Sequence, residues 1–291
     1  MILTVDLYMI IPMTKCIVLC ADDFGQAKAI SLGIINLIQS RRISATSCMV
    51  NMPFWEEHAK WLQPYQDKID IGLHVNLTEG RAVSKTWIET YGEQFFSLSA
   101  MLRQTIFRQL NKAIVEEECA AQIVRFKETI GFLPDFIDGH QHIHQFPVIR
   151  EALIGVYKKY LSQSKAYIRW VGLQLRLSDW IRNPKKVIIY LTGTNASHHG
   201  LIRHQIPHNT SFSGIYSFSH PLAYRTRFLS FLREISHKGL ILCHPALALD
   251  NMKNDEKDHL AVLRALEYKY LMSAQFLEDL DREEVKLERF Q

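Results

Sequence analysis

Two adjacent carboxylates, Asp22 and Asp23, follow the short apolar run Cys16-Ile-Val-Leu-Cys-Ala21. Neighbouring carboxylates repel and call for a cation or a shared proton. A metal-binding or catalytic role therefore stands ahead of the plain alternative, Asp23 capping the next helix. Other apolar runs also end in polar residues: one at His74 and Asn76, one at Asp138-Gly-His140-Gln-His142-Ile-His144, one at Arg169, one at His244-Pro245. An extended segment would put His140, His142 and His144 on one face, and at least one of them is expected to be a ligand. Alone, His74 reads more readily as a satisfied core histidine, and His244 equally as loop punctuation. Together, an aspartate and two histidines from three strands make a three-ligand set with room for water. With a second carboxylate beside it and a histidine opposite, the set suits metal-assisted hydrolysis. Serine-hydrolase elbows, P-loops and G-x-G-x-x-G turns do not occur in the sequence, which disfavours serine hydrolases and nucleotide enzymes. Cys20 and Cys243 read as buried strand residues rather than nucleophiles.

These residues need a scaffold that gathers strand ends, and the hydrophobic pattern supplies one. Short branched-apolar runs alternate with amphipathic stretches, the signature of parallel βαβ units, where chemistry collects at the carboxyl ends of strands. Strands are expected over 16–21, 45–50, 69–75, 136–139, 166–170, 187–191 and 239–243. Helices are expected over 26–42, 54–62, 99–110, 114–130, 147–160, 224–237 and 255–280. Ile30, Ile34, Leu37 and Ile38 make the first helix amphipathic, while Gly131 and Pro134 end the fourth. Residues 193–221 read as a loop, with His198, His199, His204 and His208 solvated. The aromatic-rich insertion around Trp87, Tyr91, Phe95 and Phe96 reads as core packing, as a lid, or as a homodimer contact.

The chain has 291 residues, 47% of them hydrophobic and 22% charged, a balance that excludes disordered and collagen-like chains. The net charge of +4 comes without a long Lys/Arg block, so nucleic acid is not an expected partner. Five cysteines without a C-x-x-C pair read as free thiols in a reducing compartment, and the cytoplasm is the expected location. Residues 1–14 read as an extension ahead of the first strand, too short to span a membrane. Nothing marks a linker, so one domain is expected over 15–291.

Four blocks carry a family resemblance: Ala21-Asp22-Asp23-Phe24-Gly25, Gly72-Leu73-His74-Val75-Asn76-Leu77-Thr78, Asp138-Gly139-His140-Gln141-His142-Ile143-His144, and His244-Pro245-Ala246. In order and spacing they resemble the YdjC-like carbohydrate deacetylases, which include chito-oligosaccharide deacetylases and a hopanoid-associated branch. The resemblance implies an α/β fold, a distorted (β/α) barrel of the polysaccharide-deacetylase-like type. It implies Asp23, His74 and His140 as metal ligands, Asp22 as general base and His244 as general acid. His142, His144 and Arg169 fall at positions for substrate contact. One divalent ion is implied, magnesium by resemblance, whereas imidazole ligands suit zinc, cobalt or iron better. The expected reaction is removal of an N-acetyl group from an amino sugar or chito-oligosaccharide by attack of a metal-bound water. The alternatives are another metal hydrolase, acting on a phosphoester or a non-sugar amide, and a non-catalytic sugar-binding barrel. Cys20 before the aspartate pair, the N-terminal extension and residues 190–221 depart from the family pattern, and the last of these leaves the sugar undefined.

Overall fold

The computed structural model describes residues 14–173, 175, 180, 184–216, 224–248 and 261–290. The extension over 1–13, the end of the expected loop at 217–221 and the start of the helix expected from 255 lie outside them.

The branched-apolar runs form the strands of one parallel sheet: β1 (Lys15–Phe24), β2 (Ala45–Cys48), β3 (Asp70–Val75), β4 (Phe136–Gly139), β5 (Tyr167–Ile168), β6 (Phe212–Ser213), β7 (Leu240–Cys243) and β8 (Val285–Leu287). Their order is β5-β4-β3-β2-β1-β7-β6, with β8 joined to the start of β1. Strand β8 is an addition to the expected pattern, since its three residues are too few for a periodic signal. The helices are α1 (Lys28–Gln39), α2 (Trp55–His58), α3 (Lys85–Tyr91), α4 (Leu98–Ile106), α5 (Lys112–Ile130), α6 (Ile149–Tyr160), α7 (Pro184–Leu191), α8 (Thr194–Arg203), α9 (Tyr224–Glu234), α10 (Ala261–Leu271) and α11 (Ala274–Arg282).

Strand alternation divides the core in two. Ile17, Leu19, Ala21, Ile71, Leu73 and Ile137 face outward into the large core under the helices. Val18, Cys20, Ala45, Phe136, Tyr167, Phe212, Leu240 and Leu242 form a second core on the concave side of the sheet. That interior is narrow. A Cβ on Gly72 would come within 2.4 Å of the Phe136 ring, so this interior position of β3 must stay bare. Between the edge strands β5 and β6, Ile168 N–H donates to Pro207 O at 3.0 Å. The Asn209 side chain accepts from Trp170 N–H at 2.8 Å and donates to Trp170 O at 2.8 Å. Among the described residues no strand pairing joins these edges, and that backbone bond together with the buried Asn209 bridges them instead.

Two expected elements are corrected. Residues 187–191, read as a strand, belong to helix α7, whose carbonyl at Ile189 accepts from Gln145 Nε2 at 2.6 Å. The branched run Val187-Ile-Ile imitates a strand, but the conformation is decided by its neighbours. Residues 194–203, read as loop, form helix α8, which turns Thr194, Ser197 and Leu201 inward. Its buried face is mostly hydroxyl-bearing, so hydrophobic periodicity could not find it. His198 on this helix is half-buried and stacks on Trp170 at 4.0 Å, whereas His199 is exposed. The helix expected over 54–62 is also shorter, one α-turn followed by the 3-10 turns Ala59–Trp61 and Gln63–Tyr65. In the aromatic insertion, fully buried Trp87 packs edge-on against Tyr91 at 5.0 Å and Phe95 at 5.1 Å, which is core packing.

Candidate metal and catalytic centre

The same alternation aims polar side chains at the carboxyl ends of the strands. Asp22 follows Cys20 on β1, His74 follows Gly72 on β3, Asp138 follows Phe136 on β4, and Arg169 follows Tyr167 after β5. Each is two residues beyond an interior position. His244, half-buried, comes directly after Cys243, which is in register with Ala21, so it stands beside the β1 end.

Asp23 breaks the parity, and the backbone explains how. Pairing of β1 with β2 slips between Ala21 and Phe24, so three steps on β1 match two on β2. Within this bulge Asp23 adopts a φ of 72°, a left-handed conformation uncommon for a residue with a Cβ. Two consecutive carboxylates, which a regular strand would send to opposite faces, both become part of one buried cluster. Strain of this kind is often kept at functional sites. Asp23 is not a helix cap: the N-cap of α1 is Ala27, without side-chain capping.

Asp23 Oδ1 lies 3.4 Å from His74 Nε2 and 3.1 Å from His140 Nδ1. These three residues, all buried, bring one ligand atom each to within 4.8 Å of the others. The remaining oxygen, Asp23 Oδ2, accepts from Arg264 Nη2 on α10 at 2.6 Å. Burial works against the Asp23 carboxylate, yet Arg264 and the two imidazoles hold its pKa well below the usual range. Asp22 takes a two-pronged ion pair from Arg169, with both contacts at 2.7 Å. Each carboxylate of the pair therefore has its own buried guanidinium, a solution to their repulsion that the sequence did not suggest.

Arg169 also touches Asp138 Oδ2 at 2.6 Å, and Asp138 Oδ1 meets His74 Nδ1 at 2.6 Å and Ser47 Oγ at 2.5 Å. Burial alone would make His74 less basic, but Asp138 overrides it and carries its pKa to about 10. A carboxylate on the far nitrogen fixes the tautomer and raises the donor strength of a ligating histidine. The donor set Asp23, His74 and His140 fits a divalent cation: one carboxylate oxygen and two imidazole nitrogens converge in a buried place. A second grouping, Asp22, His74 and Asp138, is equally close-packed. Its carboxylates are already engaged by Arg169, so it fits a cation less well.

The three histidines of the third block do not share a face. The segment His140–Gln145 turns as a 3-10 helix, with Gln141 at φ 54° and His142 at φ 61°. His140 reaches Asp23, whereas fully buried His144 donates through Nε2 to the Arg169 carbonyl at 3.1 Å. Burial pushes the His144 pKa down to about 4, so it is neutral near pH 7. Half-buried His142 packs edge-on to Phe212 at 5.8 Å and to His144 at 6.3 Å. Arg169 has no exposed surface and is enclosed by Asp22, Asp138 and Cys20, whose sulfur lies 3.0 Å from Nη2.

Several site residues escaped the sequence reading. Asp138 was visible at a strand end but was overshadowed by the histidines that follow it. Glu79, in the loop after β3, meets His140 Nε2 at 3.1 Å. Arg264 and Glu267 lie three apart on α10, a spacing that puts both on one helix face. Glu267, fully buried, accepts from His244 N–H and from the Tyr216 hydroxyl, both at 2.6 Å. Burial lifts its pKa to about 7. Nothing in the local pattern of α10 distinguishes these two from a solvated charged face.

A curled parallel α/β sheet with a buried Asp/His cluster at its carboxyl end defines the class of this protein. A profile of the family described as YdjC-like protein matches residues 16–282, and the chain belongs to that family. A carbohydrate deacetylase from Danio rerio is 36% identical over 146 residues, 48% of this chain and 45% of that protein. A chitooligosaccharide deacetylase from Serratia marcescens is 33% identical over 168 residues, 57% of this chain and 60% of that protein. The chain thus spans about half the length of the curated relatives it matches. A solved structure from Enterococcus faecalis V583, named for cellobiose-phosphate cleavage, superposes with a TM-score of 0.72 at 18% identity, covering 95% of this chain and 98% of that one. At that identity the likeness concerns the fold.

Proposed function

We propose that the protein is a metal-dependent hydrolase that removes N-acetyl groups from an amino sugar or chito-oligosaccharide. The observation that carries this reading is the buried Asp23–His74–His140 cluster with a second carboxylate, Asp22, next to it. The relatives' names, carbohydrate deacetylase and chitooligosaccharide deacetylase, support the acetylated-sugar substrate. The reading takes residues 15–291 as one working domain. Five free cysteines support a reducing compartment such as the cytoplasm. Among the described residues no helix is long and apolar enough to cross a membrane.

Asp23, His74 and His140 would hold the cation, and two imidazoles favour zinc over magnesium. A divalent ion bound there would polarise the acetyl carbonyl and acidify water toward a pKa near ~7. Asp22 takes a proton from the attacking water as its oxygen adds to the carbonyl carbon. Arg169 holds both Asp22 oxygens and so fixes the direction in which this base points. His244 gives a proton to the sugar nitrogen as the C–N bond breaks, so that acetate and a free amine leave. His142, half-buried near the cup, keeps a substrate-side role. Arg169 and His144 act in positioning rather than substrate contact, because both are buried, Arg169 with its two Nη atoms on Asp22 and His144 with Nε2 on the Arg169 carbonyl.

Acetate release from N-acetylglucosamine oligomers, with and without chelator, tests the reading. Chelation should abolish release and zinc or magnesium restore it. Hydrolysis of phosphoesters in place of acetate release would sink it. His74→Ala should lose the metal, and an unchanged metal content by elemental analysis would break the ligand assignment.

A further inference from the structure

The block that contains His74 continues through Asn76, Leu77 and Thr78 to Glu79, and the reaction described above leaves that continuation unused. Asn76 is fully buried, and its side chain serves mainly the loop it begins. Its Oδ1 accepts from Thr78 N–H at 3.1 Å and from Glu79 N–H at 3.0 Å. Its Nδ2 donates to Glu79 O at 2.8 Å and to Asn51 Oδ1 at 3.0 Å. The Asn76 backbone is held in turn by Gln122 on α5, which accepts from its N–H at 3.2 Å and donates to its carbonyl at 2.8 Å. An asparagine that closes a turn on its own backbone presets loop geometry. Here both the N–H and the carbonyl of a single residue, Glu79, are gripped by one buried side chain.

The Glu79 carboxylate is thereby presented at the rim, with its side chain 37% exposed. Oε1 meets His140 Nε2 at 3.1 Å, and Oε2 accepts from Gln26 Nε2 at 3.0 Å. His140 consequently lies between two carboxylates, Asp23 on Nδ1 and Glu79 on Nε2. His74 lies between two as well, Asp23 on Nε2 and Asp138 on Nδ1. A neutral imidazole offers a lone pair at one nitrogen only if its proton is kept on the other.

We propose that Glu79, set in place by Asn76, is a positioning residue of the metal centre: it accepts the Nε2 proton of His140 and keeps the Nδ1 lone pair turned toward Asp23 and His74. The proposal rests on the reading of Asp23, His74 and His140 as a metal site and assigns a new part of it. It also accounts for the buried Asn76 that opens the loop after β3 and the buried Gln122 of α5 that holds it.

Isothermal titration of the full-length metal-free protein with zinc and with cobalt tests this, with thermal unfolding of each metal-free variant as the structural control. Glu79→Ala should weaken both metals by about 10- to 100-fold, the usual cost of losing such a partner. Glu79→Gln should lose less, since its amide oxygen still accepts the hydrogen bond from His140 Nε2, and Asn76→Ala should approach Glu79→Ala. The visible spectrum of the cobalt form should shift in Glu79→Ala, a change that a loss of fold stability alone would not produce. Wild-type affinity in Glu79→Ala, with binding lost in His74→Ala, would overturn the role of Glu79 while leaving the metal site standing. Loss as complete as that of His74→Ala would make Glu79 a ligand and also overturn the positioning role. Failure of the wild-type protein to bind either ion would overturn the metal reading itself.

Discussion

The two ends of the sheet both carry aspartates drawn in from water, Asp135 only in part, and the contrast between them separates chemistry from construction. At the amino end, Asp70 accepts from Arg289 Nε at 2.9 Å and from Phe290 N–H at 2.7 Å. Asp135 accepts from Ile71 N–H at 2.8 Å. Their partners are backbone groups, the Tyr167 hydroxyl and the partly exposed Arg289, and burial prevails: both pKa values are raised, that of Asp135 to about 6. This network ties the C-terminal tail under the sheet, where Phe290 stacks on Tyr167 at 4.2 Å. At the carboxyl end, burial is at least as complete, yet Asp23 and Asp138 are held below the usual range by buried arginines and imidazoles. Asp70 is as buried as Asp23, so for these two it is the partners that decide whether the carboxyl pKa is raised or lowered. The carboxyl end sets buried carboxylate oxygens against histidine nitrogens, a donor set that could hold a cation.

The largest effect should come from the carboxyl end. Asp22→Asn removes the base but keeps the shape, and should lower turnover by about 10²- to 10⁴-fold with metal content unchanged. Full activity by acetate release would remove Asp22 from the mechanism. Next, Asp138→Asn should weaken metal binding about 10- to 100-fold. It should also cost about 3 kcal/mol of stability, because Arg169 is left with one carboxylate in a buried place. Denaturant unfolding and metal titration measure the two losses separately, and a variant indistinguishable from wild type in both would deny Asp138 its role.

The amino end should behave oppositely. Arg289→Ala should cost about 2 kcal/mol by denaturant unfolding, less than a fully buried pair because Arg289 reaches solvent. Its turnover and metal affinity should stay at wild-type values, and a fall in either would erase the contrast between the two ends. The smallest effect concerns pH. The folded-state pKa of Asp135 lies above its unfolded value near 3.8, so the folded chain holds more protons between the two. The stability this group contributes is therefore greatest at low pH and is lost as pH rises through about 6. Measured against Asp135→Asn, wild-type stability should fall by about 1 kcal/mol from pH 4 to pH 7. A flat difference would mean that the carboxyl is not raised by burial.

Much of this was legible in the sequence because strand alternation is local. Interior positions such as Cys20, Gly72 and Phe136 announce that Asp22, His74 and Asp138, two residues on, face the same interior. Helix α8 was illegible for the converse reason, since its inward face is threonine and serine. The expected row of three imidazoles failed at Gln141 and His142, whose left-handed backbone no side-chain pattern signals. Arg264 and Glu267 were invisible because a charged pair three apart on a helix normally faces water.

The sequence by itself determined the parallel α/β alternation, the strand ends at which chemistry gathers, and the family through its four ordered blocks. Those are properties of short segments, set by periodicity and residue type. Only the tertiary structure decided which partner each charge meets. The β1 bulge turned Asp23 toward His74 and His140, Arg169 took Asp22 and Asp138 while Arg264 took Asp23, and the Asn76 loop brought Glu79 to His140. Such pairings join residues as far apart as Asp23 and Arg264, and their strength depends on distance and on exclusion of water, quantities that exist only once the chain has folded.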